Sequence, residues 1–351
     1  MRRWHRGRLA VVRVHRWAAA AVLAAALTLL LLPTGRVTPV TGSGEVRVAE
    51  GVTLLGRDFS GRSAEEAKAL LKGMRSALET TAIPARRVQD MEGVSAVIPE
   101  LNGRRLDLEG TWARLAAAPS GAQVTPAFQV ETPSRTMADY PLSVIRKGNT
   151  NKQAVTLMIN VDWGTEELQE MLPVLKQRDA RVTFFVSGTW AKSNRELLKQ
   201  MAADGHEIGT HGHRLTYGPK ELARMGRLKE DIAQSVAVIQ EITGQTVRFY
   251  APHMSEVSPT IVETAASLQL RTVLPSVDTI DWDNRTTPEL ILSRLHKAGP
   301  GDLVLMHPKP NTAKVLETAL IQLQQRGLTP VTLGEMLSPD PSLPRPTASE
   351  E

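Results

Sequence analysis

The sequence predicts an α/β fold in which a parallel sheet curls into a small (β/α) barrel. Short apolar runs recur through the second half of the chain, at 154–161, 181–187, 247–251, 271–277, 302–306 and 329–333. Helical patterns lie between them, as at 168–175, 220–243 and 311–327. Strands that are apolar on both faces belong to parallel sheets covered by helices. Six or seven strand–helix units in about 185 residues suit a small or incomplete barrel, whose active site would lie at the carboxyl ends of the strands.

The N-terminus has the pattern of an export signal. Six arginines precede residue 17, and the uncharged run Trp17–Leu32 of 16 residues follows them. An uncleaved signal-anchor is favoured over a cleaved signal peptide, because leucines and Pro33 stand where a small-x-small cleavage site should be. Since the basic flank stays in the cytoplasm, we expect a membrane-anchored, extracytoplasmic protein, or a secreted one if the signal is cleaved.

Composition argues against two classes of function. The chain has 42 basic and 37 acidic residues, and removing the six N-terminal arginines leaves 36 basic residues. A nearly neutral body does not suit a nucleic-acid-binding protein, which needs a basic face. The chain contains 0 cysteines, which excludes disulfides and thiolate chemistry.

Composition also divides the chain into segments. We predict a signal-anchor or signal peptide at 1–33, a linker at 34–44, a small α+β domain at 45–132, a second linker at 133–152, a barrel at 153–338 and a disordered tail at 339–351. Within the small domain, Ser63 and Glu66 form a capping-box pattern that starts a helix. Asn102-Gly103 lies between the apolar stretches SAVIPEL and RRLDL and predicts a β-hairpin.

Side chains suited to catalysis stand at or just after the predicted strand ends. They are Asp162 and Trp163 after the first strand, His211 and His213 in GHEIGTHGH, His253 in RFYAPH, Asp278, Asp281 and Trp282 in VDTIDW, and His307 in LVLMHP. A single histidine at such a place is more often structural. Several that converge on one barrel mouth favour a functional site.

The order of these motifs carries a family resemblance. From about residue 152 to 338 the chain resembles the polysaccharide deacetylase, or NodB-homology, family, through an Asp after strand one, TFFV, GHEIGTH, VDTIDW and MHP. The stretch MHPKPNTAKVLETALIQLQQRGLTPVTLGEML resembles the sporulation-linked branch of that family. In the N-terminal part, GVTLLGRDFSGRSAEEAKALL weakly resembles a small repeat of the peptidoglycan-binding type.

The resemblance implies a distorted (β/α)7 barrel that removes acetyl groups from chitin-like or peptidoglycan sugars by metal-assisted hydrolysis. Matched position by position, Asp162 is the general base and His307 the general acid. Asp281 orients His307, Trp282 forms a pocket wall, and His211 is the first metal-binding histidine.

The sequence departs from the family pattern at the metal site. Trp163 stands where a ligand aspartate belongs, and Leu215 stands where the second ligand histidine belongs. Tyr250 replaces an arginine that is usual near the base. Since one imidazole does not hold zinc, the site is either inactive or rebuilt.

A rebuilt site would use other histidines. If the strand continues past His211, then His213 lies on the same face, and with His253 the three could bind zinc or cobalt. Trp163 would then fill the space of the missing ligand or stack on a sugar ring.

The sequence is compatible with two functions. The first is an exported deacetylase with an altered metal site, a hydrolase of non-peptide C–N bonds whose partner is an acetylated polysaccharide or peptidoglycan. The alternative is a catalytically inactive relative that binds glycan through Trp163 and Trp282, or that serves as a structural protein of the envelope or spore.

Overall fold

The computed structural model describes residues 45–89 and 93–342, and its N-terminal part is a small α+β arrangement. The strands are β1 (Thr53–Leu54), β2 (Arg57–Asp58), β3 (Arg86–Gln89), β4 (Ser95–Ile98), β5 (Gly103–Leu106), β6 (Gln123–Val124) and β7 (Phe128–Glu131). The helices are α1 (Ala64–Gly73), α2 (Arg75–Leu78) and α3 (Leu108–Ala116). The predicted capping box is present, since the Ser63 side chain accepts from the Glu66 backbone N–H and the Ser63 N–H donates to the Glu66 carboxylate.

The hairpin predicted across Asn102-Gly103 does not form. Strand β4 pairs antiparallel with β3, and β5 pairs antiparallel with β7, so the two predicted partners go to different sheets. Gly103 serves a different purpose, because a Cβ there would overlap the backbone at Thr80 and Ala82. The glycine allows two chain segments to approach closely rather than forming a tight turn.

The C-terminal part alternates strands and helices. The strands are β8 (Ala154–Val161), β9 (Thr183–Val186), β10 (Glu207–Thr210), β11 (Phe249–Tyr250), β12 (Arg271–Thr272), β13 (Val277–Asp278), β14 (Leu303–Met306) and β15 (Thr329–Pro330). The helices are α4 (Thr165–Gln177), α5 (Gly188–Ser193), α6 (Arg195–Ala203), α7 (Pro219–Arg224), α8 (Leu228–Thr243), α9 (Pro259–Ser267), α10 (Pro288–Leu295), α11 (Pro310–Gln325) and α12 (Leu333–Leu337). Two single-turn 3₁₀ segments lie at Met137–Asp139 and His253–Ser255.

These strands form one curled parallel sheet in the order β12-β11-β10-β9-β8-β14-β13, with β15 also paired to β8. All pairs in this sheet are parallel, and every residue of β8 is buried. The prediction of an α/β fold with a parallel sheet is therefore confirmed, and the curled half-barrel is consistent with a distorted barrel. Its strands end at one edge, where parallel sheets place their functional residues.

The segment predicted as a second linker, 133–152, is bonded into both parts of the protein. Val144 pairs with β4, because its N–H donates to the Ser95 carbonyl at 2.8 Å and its carbonyl accepts from Val97 N–H at 3.0 Å. The next residue, Ile145, bonds in the same way to the chain at Thr272 and Leu274, each at 2.9 Å. This segment thus joins the β3–β4 hairpin to the β12 edge of the barrel sheet.

From Val48 onward, the described chain packs as one compact unit. One buried apolar cluster combines Val97 of β4 and Ile145 with Met158 and Phe185 of the barrel. Lys152 is also buried, and its ammonium donates to the Glu335 and Ser338 carbonyls. The two parts therefore share a core.

None of the helices described is long and apolar enough to span a membrane. The predicted signal-anchor at 1–33 and linker at 34–44 lie outside the described residues, as does most of the predicted tail at 339–351.

Adding a methyl group at Gly103 should destabilise the protein. The new Cβ would meet backbone atoms of Thr80 and Ala82, which cannot rotate away, so Gly103→Ala should lower the free energy of unfolding by about 1–3 kcal/mol. Gly73→Ala is the matched control, since nothing lies within 4 Å of its Cβ position. Urea denaturation of both variants measures the difference, and equal midpoints would contradict the close approach at Gly103.

Candidate active site

A cavity of about 420 Å³ opens at the carboxyl ends of the barrel strands. Its lining includes most of the predicted site residues, namely Asp162, Trp163, His211, His253, Trp282 and His307. Asp281 lies behind His307, as described below. The fold thus brings side chains that are far apart in the sequence to one cavity.

The deepest part of the cavity holds Asp162, His211 and His253. The His211 Nδ1–H donates to the Ala251 carbonyl at 2.7 Å, so its Nε2 carries the free lone pair. That Nε2 lies 3.6 Å from Asp162 Oδ2 and 3.4 Å from His253 Nδ1. Potential ligand atoms from all three residues lie within 4.8 Å of one another.

Burial controls the protonation of this cluster. The Asp162 side chain is only 4% exposed, and burial raises its pKa to about 6, against smaller opposing effects of the Ser187 hydroxyl and of His253. Burial also lowers the pKa of His211 to about 4, and it lowers the pKa of His253. Both imidazoles are therefore neutral at pH 7, the form that binds metals.

This cluster fits a divalent metal ion. One carboxylate and two neutral imidazoles form a ligand set that catalytic zinc sites use. Asp162 Oδ1 is buried and has no hydrogen-bond partner among residues 45–89 and 93–342. A buried carboxylate oxygen without a partner is costly, and a cation would compensate it.

His213 does not join this cluster, so the predicted set of three histidines is replaced by Asp162, His211 and His253. Strand β10 ends at Thr210, and Gly212 has a φ of +97°, so strand alternation no longer applies at His213. The His213 N–H donates to Asp231 Oδ2 at 2.8 Å, and its ring packs against Gly188. The chain turns away from the cavity after His211.

His307 is held by Asp281. The Asp281 Oδ1 accepts from His307 Nδ1–H at 2.8 Å, and Oδ2 accepts from the His307 backbone N–H at 2.7 Å. The Thr312 hydroxyl donates to the same Oδ2 at 2.7 Å. Because Nδ1 is occupied, Nε2 is the atom of His307 that can exchange a proton with a molecule in the cavity.

Trp163 lies beside His307. The two rings are nearly parallel, at 4° with 5.9 Å between centroids, and Lys309 Nζ lies 5.3 Å from the indole centroid. Gly164 makes this possible, because its φ is +79° and a Cβ there would overlap Pro308, which follows His307. At 41% exposure, Trp163 remains accessible at the cavity mouth.

Sequence reasoning assigned no role to Asn160, which also lines the cavity. It is 8% exposed, and its Oδ1 has no hydrogen-bond partner in the described part of the chain. Asn160 lies on β8, two residues before Asp162. Because alternate residues of a strand point to the same side, this spacing was the sequence signal that could have placed Asn160 beside Asp162.

The chain resembles known proteins both in sequence and in fold. The sequence profile of the polysaccharide deacetylase family matches residues 147–273. The uncharacterized protein YlxY of Bacillus subtilis is 31% identical over 243 residues, which cover 68% of this chain and 75% of YlxY. The chain belongs to the polysaccharide deacetylase family. A peptidoglycan-N-acetylglucosamine deacetylase of Bacillus cereus is 27% identical over 196 residues, covering 54% of this chain and 70% of that enzyme.

Among solved structures, the family member BA3943 of Bacillus anthracis matches with a TM-score of 0.65. It is a CE4 family pseudoenzyme, 28% identical, and the match covers 78% of this chain and 95% of BA3943. A mutant of BA3943 with restored enzymatic activity matches with the same TM-score of 0.65 at 27% identity, over 78% of this chain and 98% of the mutant. The fold of this chain therefore occurs in both an inactive and a reactivated form of that protein.

The pKa of Asp162 predicts a pH dependence of stability. A carboxyl group whose pKa rises from 3.8 unfolded to about 6 folded stabilises the protein below pH 4, and this contribution is lost as the pH rises through 6. The amide side chain of the Asp162→Asn variant does not ionise, so this variant does not lose the contribution as the pH rises. Its free energy of unfolding should therefore increase by up to about 3 kcal/mol relative to that of the wild type between pH 4 and pH 8.

Urea denaturation of both proteins at several pH values, with a chelator present, measures this difference. A difference between variant and wild type that stays constant from pH 4 to pH 8 would contradict the raised pKa of Asp162.

Proposed function

We propose that the protein is an exported, membrane-anchored deacetylase that hydrolyses acetyl groups on peptidoglycan or chitin-like glycans through a rebuilt metal site. The arrangement that carries the proposal is the ligand set of Asp162, His211 and His253 beside the His307–Asp281 pair, in one cavity. Its relatives include the Bacillus cereus peptidoglycan deacetylase, which supports this substrate class. Export is supported by the basic and apolar N-terminus.

Asp162, His211 and His253 would hold a divalent ion such as zinc or cobalt. When bound, the ion would act as a Lewis acid on the acetyl carbonyl. The two oxygens of Asp162 differ, since Oδ2 faces His211 and Oδ1 has no partner among the residues described. One oxygen can therefore hold the ion while the other accepts a proton from the attacking water.

His307 is suited to the opposite proton transfer. Its Nδ1 is fixed by Asp281, so Nε2 can donate a proton to the amine as it leaves the acetyl group. The carboxylate of Asp281 stabilises the imidazolium that precedes this step. Trp163 and Trp282 are 41% and 50% exposed at the cavity mouth, where indole faces can pack against sugar rings.

A second function is supported by particular observations. Trp163 occupies the position where the family resemblance places a ligand aspartate, and BA3943, which this chain resembles, is a pseudoenzyme. An inactive relative that binds glycan through the two indoles would use the same cavity without hydrolysis. The two proposals differ in acetate release.

Metal binding can be tested without substrate. His253→Ala removes one of the three ligands, so cobalt affinity should fall by more than the roughly 10- to 100-fold that loss of an outer-shell partner costs. His213→Ala is the matched control, because His213 lies outside the cluster. The cobalt affinity of this variant should stay at the wild-type value. Titration with cobalt, followed by visible absorption, measures both variants. Equal effects of the two substitutions would contradict the assigned ligand set.

Acetate release tests the activity itself. We expect the purified protein to release acetate from acetylated chito-oligosaccharides or peptidoglycan with added zinc or cobalt, and to stop when a chelator is added. Asp162→Asn removes the proton acceptor and should lower kcat at least about 100-fold. A folded protein that takes up metal but releases no acetate from either substrate would contradict the deacetylase proposal and favour glycan binding alone.

A further inference from the structure

The turn that follows β13 carries two cavity side chains with different surroundings. Asp281 is 4% exposed and faces inward, where it holds His307. The next residue, Trp282, is 50% exposed and lines the mouth of the same cavity. The shape of this turn therefore sets both the orientation of the proposed acid and the position of the indole.

Asp278 bonds to two points of this turn. Its Oδ1 accepts from the Ile280 backbone N–H at 2.7 Å, and its Oδ2 accepts from Trp282 Nε1–H at 3.3 Å. One carboxylate thus fixes the indole relative to the backbone that carries it. Because the indole N–H is used in this way, the ring faces are the part of Trp282 that can meet a ligand.

The backbone at the centre of the turn is strained. Ile280 has a φ of +56°, a region that a β-branched residue rarely adopts. Its carbonyl accepts from the Thr286 hydroxyl at 2.7 Å and from Asp283 N–H at 3.1 Å, so the surrounding contacts hold it there. Strained turns that neighbours hold in place are typical of functional sites.

We propose that Asp278 is a positioning residue of this site, and that it fixes Trp282 as a platform for a pyranose ring of the acetylated glycan. This inference rests on the proposed function and names the substrate contact that it requires. A platform held in one orientation loses little rotamer freedom when the sugar binds, so the Asp278 bond favours binding even though Asp278 does not touch the reacting atoms.

The substitution Asp278→Asn should keep one of the two hydrogen bonds of this carboxylate and remove the other. The amide oxygen can still accept from Ile280 N–H, whereas the amide NH₂ cannot accept from the indole N–H. We expect the dissociation constant for acetylated chito-oligosaccharide to rise roughly 2- to 10-fold, as for the loss of one hydrogen bond. The melting temperature should stay at its wild-type value, since the bond to Ile280 N–H and the turn are retained.

Asp283→Asn is the matched control, because it removes the same charge from the same turn. Asp283 pairs with Arg285 through its side chain and reaches Ile280 only through its backbone N–H. Sugar binding should be unchanged in this variant. A second control is Trp282→Ala, in which adding Asp278→Asn should cause no further weakening, because the platform is already absent.

Isothermal titration of the full chain with acetylated chito-oligosaccharide measures binding by the wild-type protein and the four variants without requiring turnover. Unchanged binding in Asp278→Asn, or equal weakening with and without Trp282, would overturn the role of Asp278 while leaving the proposed function standing. If the wild-type protein bound neither chito-oligosaccharide nor peptidoglycan fragments, the proposed function itself would fail, and the sugar platform with it.

Discussion

The burial of the Asp162 carboxylate is the constraint on which the rest of the site depends. Strand β8 lies between β9 and β14 in the sheet, all its residues are buried, and it delivers this carboxylate to the cavity with 4% of the side chain exposed. A carboxylate in that position must be neutralised by a proton or by a cation. The raised pKa of about 6 and the unpartnered Oδ1 are two expressions of the same electrostatic cost.

The histidines around Asp162 differ in what holds their Nδ1 atoms. His211 donates to the carbonyl of Ala251, which fixes a neutral tautomer with its lone pair toward Asp162. His307 donates instead to a side chain, the carboxylate of Asp281. The same kind of side chain can thus serve the proposed ligand role at one strand end and the proposed acid role at another, since the acceptor behind each ring fixes which nitrogen is free.

The sequence was sufficient to predict the parallel sheet and the family, because doubly apolar strands and the ordered motifs are local signals. It was not sufficient for His213, whose assignment assumed that β10 continued past Thr210, whereas Gly212 turns the chain away. The sequence was also misleading at Asn102-Gly103. The glycine is required there because the Thr80 backbone lies too close for a Cβ, and not because the chain forms a tight turn. At Gly103 a contact distant in sequence overrides the local pattern, whereas at His213 the strand ends earlier than its alternation suggested.

The backbone bonds of Val144 and Ile145 place a cover on the β12 edge of the barrel sheet. An uncovered edge offers free N–H and C=O groups to any other strand and promotes association. Cutting the chain at residue 153 would separate the barrel from Val144 and Ile145. The β12 edge of the barrel sheet would then be left open. A barrel excised in this way would be prone to aggregate, so its solubility depends on the segment that precedes it.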